Sequence, residues 1–133
     1  MKYLFDVSAL VALGFVQHEF HERVAVWIRR QSSMELITCS ITELGFVRVL
    51  NQAPQYGIAI AQARSLLLRI KTASDPKFSF ISDHHDISHI PAWVNTAKQI
   101  TDGHLAALAK SSGATLATLD GGIPGAFLIP PLR

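Results

Sequence analysis

The sequence predicts a three-layer α/β domain, in which a central, mostly parallel sheet is covered by helices on both faces. Two observations carry this reading. Short apolar runs alternate with helix-period segments along the chain, and strands joined through helices lie parallel with right-handed crossovers. Hydrophobic residues make up 49% of the chain and charged ones only 17%, with a mean hydropathy of +0.26, yet no run reaches the roughly 20 apolar residues that a membrane span needs. So much apolar content without a span points to elements buried on two sides. A length of 133 residues suits one core, and with no internal repeat or linker the chain reads as a single domain over residues 1–133.

The elements follow in order. Tyr3-Leu4-Phe5 is a short apolar strand ending in Asp6, and Ser8 then precedes Ala9 to Leu13, a capped helix. From His18 to Gln31, Phe20, Val24, Trp27 and Ile28 recur at three- and four-residue steps opposite Glu19, Glu22, Arg23 and Arg30, an amphipathic helix. Glu35 to Cys39 is β-prone. Ser40-Ile41-Thr42-Glu43 has the S-x-x-E form of a capping box and opens a helix through Phe46, Val47 and Leu50, which Asn51 to Pro54 ends. Ile58 to Lys71 reads as a further helix, stopped by Ser74-Asp75-Pro76. Phe78 to Ile81 is the next strand, and the polar stretch with His84, His85, Asp86 and His89 before Pro91 is loop. Thr101 caps a helix with Leu105, Leu108 and Ala109 on one face and Gly113 as its stop. Thr115 to Leu119 is a strand ending at Asp120, Gly121-Gly122 turns the chain, and Phe127 to Ile129 forms a last edge strand before Pro130-Pro131.

Charge alone names no partner: 12 Lys+Arg against 10 Asp+Glu give +2, which permits an anionic ligand without demanding one. The single cysteine, Cys39, excludes an intramolecular disulfide and a multi-cysteine zinc site, and suits a reducing, cytoplasmic setting. Met1-Lys2 and the apolar residues after it imitate a secretory leader, but Asp6 interrupts them and no clear small-residue cleavage site follows. Neither G-x-x-x-x-G-K-[ST] nor G-x-G-x-x-G occurs, which argues against nucleoside triphosphatases and dinucleotide enzymes.

Ligands in such folds gather at the carboxyl ends of the strands. Asp6 and Asp120 each follow a strand, and Glu43 and Asp102 lie in first helical turns, so four of the ten acids fall at element ends on that side. Each has an ordinary structural reading: Asp6 as a helix cap, Glu43 in a capping box, Asp102 favoured by the helix dipole, Asp120 in a turn. Together they make a different case, because crowded carboxylates repel unless cations or protons compensate them. Mg²⁺ or Mn²⁺ takes oxygen ligands, keeps several waters and accepts phosphate oxygens. The matching chemistry is phosphodiester hydrolysis, in which metal ions activate water and neutralise the phosphate.

Asp6-Val7-Ser8, Ile41-Thr42-Glu43-Leu44-Gly45-Phe46-Val47-Arg48, Thr101-Asp102-Gly103-His104-Leu105-Ala106-Ala107-Leu108-Ala109 and Leu116-Ala117-Thr118-Leu119-Asp120 resemble the four acidic motifs of PIN domains, and most closely those of VapC-type toxin ribonucleases from toxin–antitoxin pairs. The resemblance covers nearly the whole chain. It implies a Mg²⁺- or Mn²⁺-dependent endoribonuclease acting on single-stranded or looped RNA, neutralised by a small antitoxin and commonly dimeric. It makes Asp6, Glu43 and Asp102 the core acids, with Asp6 and Asp102 as direct metal ligands, and Asp120 the more variable fourth. Ser8 and Thr118 take the places of supporting polar residues. Gly103-His104 departs from the family pattern, where a larger residue and then Tyr are usual, so His104 is either a packing substitute or an RNA contact.

Arg48, Arg64, Arg69 and Lys71 are phosphate-binding candidates, although Lys and Arg usually occupy solvated helix faces. Arg48 is the best placed, on the helix that carries Glu43. Trp27 belongs to an apolar helix face, as core or dimer interface. Two other functions compete. His84, His85, Asp86 and His89, with His18 and His21, would form a histidine-rich metal hydrolase site, without HExxH or regular spacing. A catalytically silent module that binds RNA or protein would keep the fold without turnover.

Overall fold

The computed structural model describes residues 1–132. Its elements are β1 (Lys2–Phe5), α1 (Val7–Gly14), α2 (His21–Arg29), β2 (Glu35–Thr38), α3 (Ser40–Gln52), α4 (Ile60–Lys71), β3 (Lys77–Phe80), α5 (Ile100–Ser111), β4 (Thr115–Thr118) and β5 (Phe127–Leu128). Two short 3₁₀ turns, Ile87–His89 and Ala97–Gln99, lie between β3 and α5. The strands form one sheet in the order β3-β2-β1-β4-β5, and every pairing is parallel.

Side-chain alternation along the strands builds the layers. Phe5, Leu36 and Ala117 point into a core shared with Leu10, Val24, Trp27, Phe46, Leu50 and Leu67 of α1 to α4. Their neighbours Leu4, Ile37 and Leu116 point the other way, against Leu105, Leu108 and Ala109 of α5. The central strands are thus buried on both faces, as their continuous apolar runs require. Trp27 sits inside the first core, edge-on to Tyr3 and stacked on Phe127 at 5.2 Å between ring centroids. From β1 the chain moves outward to β2 and β3, then returns through α5 to β4 on the other side of β1. The β1/β4 junction is therefore the topological switch point, where open parallel sheets place their ligands.

Several boundaries differ from the sequence reading, each for a local reason. Helix α1 is capped by Asp6, whose carboxylate accepts the Ala9 N–H at 2.9 Å, while Ser8 lies within the first turn. Helix α2 starts at His21: residues 15 to 21 form consecutive turns, with Phe15 accepting from the His18 N–H and His18 from the His21 N–H. The capping box of α3 is one residue earlier than the S-x-x-E spacing suggests. Cys39 keeps extended backbone, so Thr42 is the third helical residue, and its hydroxyl oxygen accepts the Cys39 N–H at 3.0 Å. That releases Glu43 from capping.

Helix α4 starts at Ile60 because the Ile58 N–H is drawn back to the Leu50 carbonyl across Gly57, whose φ is +57°. Helix α5 starts at Ile100, continuing the preceding 3₁₀ turn, and Thr101 does not cap it. It ends as expected, with Gly113 at φ +71°, a left-handed conformation that glycine adopts without a Cβ clash. The last strands are shorter than expected, although the Ile129 N–H still reaches the Thr118 carbonyl.

Candidate active site

Asp6 leaves the end of β1 at the switch point and is only 6% exposed. Capping α1 occupies one carboxylate oxygen, and the other accepts the Thr118 hydroxyl at 2.5 Å. Thr118, buried at the end of β4, in turn accepts the Asp120 N–H at 2.9 Å, so one hydroxyl ties the first acid to the backbone of the fourth. Burial pushes the Asp6 pKa up to about 6, the Thr118 and Ala9 hydrogen bonds oppose that rise, and the nearby Asp102 and Asp120 carboxylates add to it. Burial and then Asp120 also raise the pKa of Asp102, in the first turn of α5. Asp120 is exposed and shapes its own turn by accepting the Gly122 N–H at 2.9 Å.

Three of the four sequence-predicted acids therefore act on one another electrostatically. Glu43 is engaged separately: the Thr38 hydroxyl and the Lys71 ammonium both donate to its Oε2, at 2.5 and 2.6 Å. Ser8 is exposed and shares a small recess with Phe20 and Asp120. Arg48 is exposed beside Glu43 and Arg64 in a groove of about 710 Å³ between α3 and α4.

Among the described residues, no group of three or more His, Cys, Asp or Glu side chains has the spacing of a metal-ligand set. Carboxylates held apart are what mutual repulsion produces without a neutralising charge. A divalent cation still suits these residues: Asp6 is buried and crowded enough to hold its proton to about pH 6, and a bound cation favours the ionised form. All the donors at this corner are hard oxygens, which match Mg²⁺ or Mn²⁺ rather than a thiophilic metal.

The histidines divide into unrelated groups. His18 packs on Phe20 and Tyr56, and His21 bonds the Ala12 carbonyl at 2.7 Å, so neither joins the others. His85 stacks on His89 at 4.1 Å between ring centroids and meets the Ser111 hydroxyl at 3.0 Å. His104 pairs with Asp83, and His89 lies 3.4 Å from Asp86. His104 is thus a local clamp between α5 and the loop before it. Gly103 completes that contact, since a Cβ there would lie 2.2 Å from Val94 Cγ2.

Thr38, Lys71 and Asp83 are the polar contacts the sequence reading does not single out in these roles. Lys71 looks like any basic residue in a last helical turn, and its partner Glu43 lies 28 positions away. No local pattern marks such a contact.

An all-parallel sheet with acids at its switch point fits a metal-dependent phosphodiesterase domain. The PIN domain family model matches residues 3–125, and the chain belongs to this family. Within it the chain groups with the VapC ribonucleases. It is 35% identical to Ribonuclease VapC38 of Mycobacterium tuberculosis over 127 residues, covering 90% of this chain and 86% of that protein. Ribonuclease VapC44 from the same species is 36% identical over 126 residues, covering 90% and 87%. Two solved structures share the fold at 13% identity. One is Mycobacterium tuberculosis VapC20, described as a Sarcin-Ricin loop cleaving toxin, with a TM-score of 0.64 over 96% of this chain and 99% of that one. The other is VapBC2 from Rickettsia felis, bound to a DNA fragment from their promoter, with a TM-score of 0.56 over 96% and 97%.

Proposed function

We propose that this chain is a single-domain endoribonuclease, residues 1–133, that hydrolyses phosphodiester bonds in single-stranded or looped RNA with Mg²⁺ or Mn²⁺, as the toxin of a toxin–antitoxin pair. The observation that carries the proposal is Asp6 buried at the switch point and hydrogen-bonded to Thr118, where burial, with a smaller addition from Asp102 and Asp120, pushes its pKa up to about 6. Relatives named ribonucleases across 86–87% of their length support it.

In this reading Asp6 and Asp102 hold the ion directly, and Asp120 and Glu43 complete the acidic set. The bound ion supplies an activated water and neutralises the phosphate under attack. Thr118 fixes the rotamer of Asp6 through its hydrogen bond, and Ser8 supports the same edge. Arg48 contacts an RNA phosphate. A proton on Asp6, held to about pH 6 in the metal-free protein, competes with the cation, so cation affinity falls as the pH drops.

The partner is a small antitoxin that lays a helix or extended segment in an apolar groove and sends a basic side chain toward the acids. The groove between α3 and α4 suits such a segment, with exposed Leu44, Ile60 and Leu68 along or beside it. We place the protein in the cytoplasm as a homodimer; no helix of the described residues is long and apolar enough to cross a membrane.

Purified protein freed of antitoxin is expected to cleave RNA with Mg²⁺ or Mn²⁺, and to stop with chelator or on Asp6→Asn. Tight RNA binding without cleavage under either ion would instead identify a silent binding module.

A further inference from the structure

Phe80 closes β3 at the carboxyl edge of the sheet and is 50% exposed. The strand register sets it level with Thr38 of β2. One strand further, the pairing of Leu4 with Ile37 brings Phe5, the residue before Asp6, to the same level. At two strand spacings, roughly 10 Å separates β3 from β1. Lys71, the last residue of α4, sets its ammonium 5.5 Å from the Phe80 ring centroid while donating to Glu43 at 2.6 Å. An ammonium has three donors, and Glu43 is the only hydrogen-bond partner of this one among the described residues. Lys71, with 24% of its side chain exposed, and the half-exposed Phe80 thus set an aromatic ring, spare N–H donors and a positive charge beside the acidic edge.

The second exposed ring next to a cation differs. Phe20 lies 5.7 Å from Arg23, but that guanidinium is committed to the carbonyls of Ile129 and Pro130.

We propose that Lys71 and Phe80 form a nucleotide-binding subsite, in which the ring stacks on a base of single-stranded RNA and the ammonium donates to an adjoining phosphate oxygen. It rests on the RNA-cleavage reading above. Single strands are held by this combination of aromatic faces and cations, and stacking tolerates any base. Glu43 repels a phosphate, but it also holds Lys71 in place. The four acids would otherwise present an uncompensated negative surface to RNA, and Lys71 is the one cation paired with any of them among the described residues.

The test uses a short, labelled, single-stranded RNA of mixed sequence, with affinity measured by anisotropy in an Asp6→Asn background to prevent cleavage. Phe80→Ala is expected to weaken binding about tenfold, and Phe80→Trp to retain it. An RNA carrying abasic positions should bind the parent about tenfold more weakly and Phe80→Ala with little further loss. Lys71→Met should weaken binding and reduce the salt slope by about one, with Lys71→Arg restoring affinity. Ile87→Ala, which removes another exposed apolar side chain, should change nothing, and thermal melting checks that each variant folds. Affinity of Phe80→Ala within about twofold of the parent overturns the subsite, as does a loss of antitoxin binding with RNA affinity intact, which assigns the ring to a protein partner. Failure of the parent itself to bind RNA overturns the RNA-cleavage reading and the subsite with it.

Discussion

Two polar clusters stand close together along α5, and they differ in what their neighbours have already satisfied. Around Asp83, His85, His89 and His104, donors and charges are largely matched in pairs: His104 with Asp83, His89 with Asp86, His85 with Ser111. The hydrogen bonds from His104 and the His85 backbone outweigh burial and hold the Asp83 carboxyl below its usual range. At the switch point the balance is opposite. Asp6, Asp102 and Asp120 have no cation paired with them among the described residues, and burial together with mutual repulsion raises the pKa of the first two. Spacing in the sequence already sets the carboxylates ahead of the histidines as metal candidates, since the histidines lack HExxH or a regular interval. The contacts keep that order: although the buried His85 Nδ1 has no hydrogen-bond partner among the described residues, most groups of the histidine cluster are already paired, and carboxylates with no cation beside them gain more from an ion.

The sharpest way to break the comparison is to remove the unmatched charge. Asp6→Asn keeps a cap acceptor for Ala9, so the fold should survive. RNA cleavage should fall by more than the roughly 100-fold that loss of an outer-sphere partner costs at metal sites, read in initial rates at fixed Mn²⁺. The same variant should change the pH dependence of stability. Asp6 has a folded pKa near 6 against an unfolded value near 3.9, so the folded state binds the proton more tightly. In metal-free protein this group therefore destabilises above pH 6, by about 3 kcal/mol, and the penalty fades as pH falls from 6 toward 4. Asp6→Asn should be more stable than wild type at pH 7.5 in chemical denaturation, and the gap should close by pH 4.

A smaller effect is expected at the residue that tempers the charge. Thr118→Val removes the donor to Asp6 Oδ2 and should cost about 1 kcal/mol of stability. It should also let the Asp6 pKa rise further, since that hydrogen bond lowers it. Proton competition with the cation would then reach higher pH, so Mn²⁺ affinity at pH 6 should fall by several-fold while that at pH 8 stays near normal. Least of all should follow from the histidine side: His85→Ala with His89→Ala is expected to hold cleavage within about twofold. Abolished cleavage there, with activity retained in Asp6→Asn and Asp102→Asn, would invert the assignment.

The fold was legible because its signals are local. Apolar runs of strand length, the stop at Gly113 and the acids at strand ends all appear within a few residues. The acid pattern was legible for the same reason, as Asp6 and Asp120 each sit where a strand must end. Boundaries that depend on a single cap were not: a one-residue shift from Ser40 to Cys39 moves the α3 box from Glu43 to Thr42. Long-range pairings were also hidden. Glu43 looks like a fourth member of the acid group in sequence, yet Thr38 and Lys71 hold it in a separate contact. The histidines grouped by spacing separate in the fold, where His18 packs on Phe20 and Tyr56 and His21 bonds the Ala12 carbonyl. Local spacing reports which residues reach the edge of the sheet, and only packing reports which of them remain unmatched there.

The central claim is that the uncompensated carboxylates, not the histidines, take the ion. It is tested most directly by the Mn²⁺-induced shift in melting temperature, measured without RNA for wild type, Asp6→Asn, and the His85→Ala, His89→Ala double variant. Binding to the native state raises Tm by mass action. Wild type and the histidine variant should show the same rise with added Mn²⁺, and Asp6→Asn should show almost none. A rise preserved in Asp6→Asn and lost in the histidine variant would contradict the account.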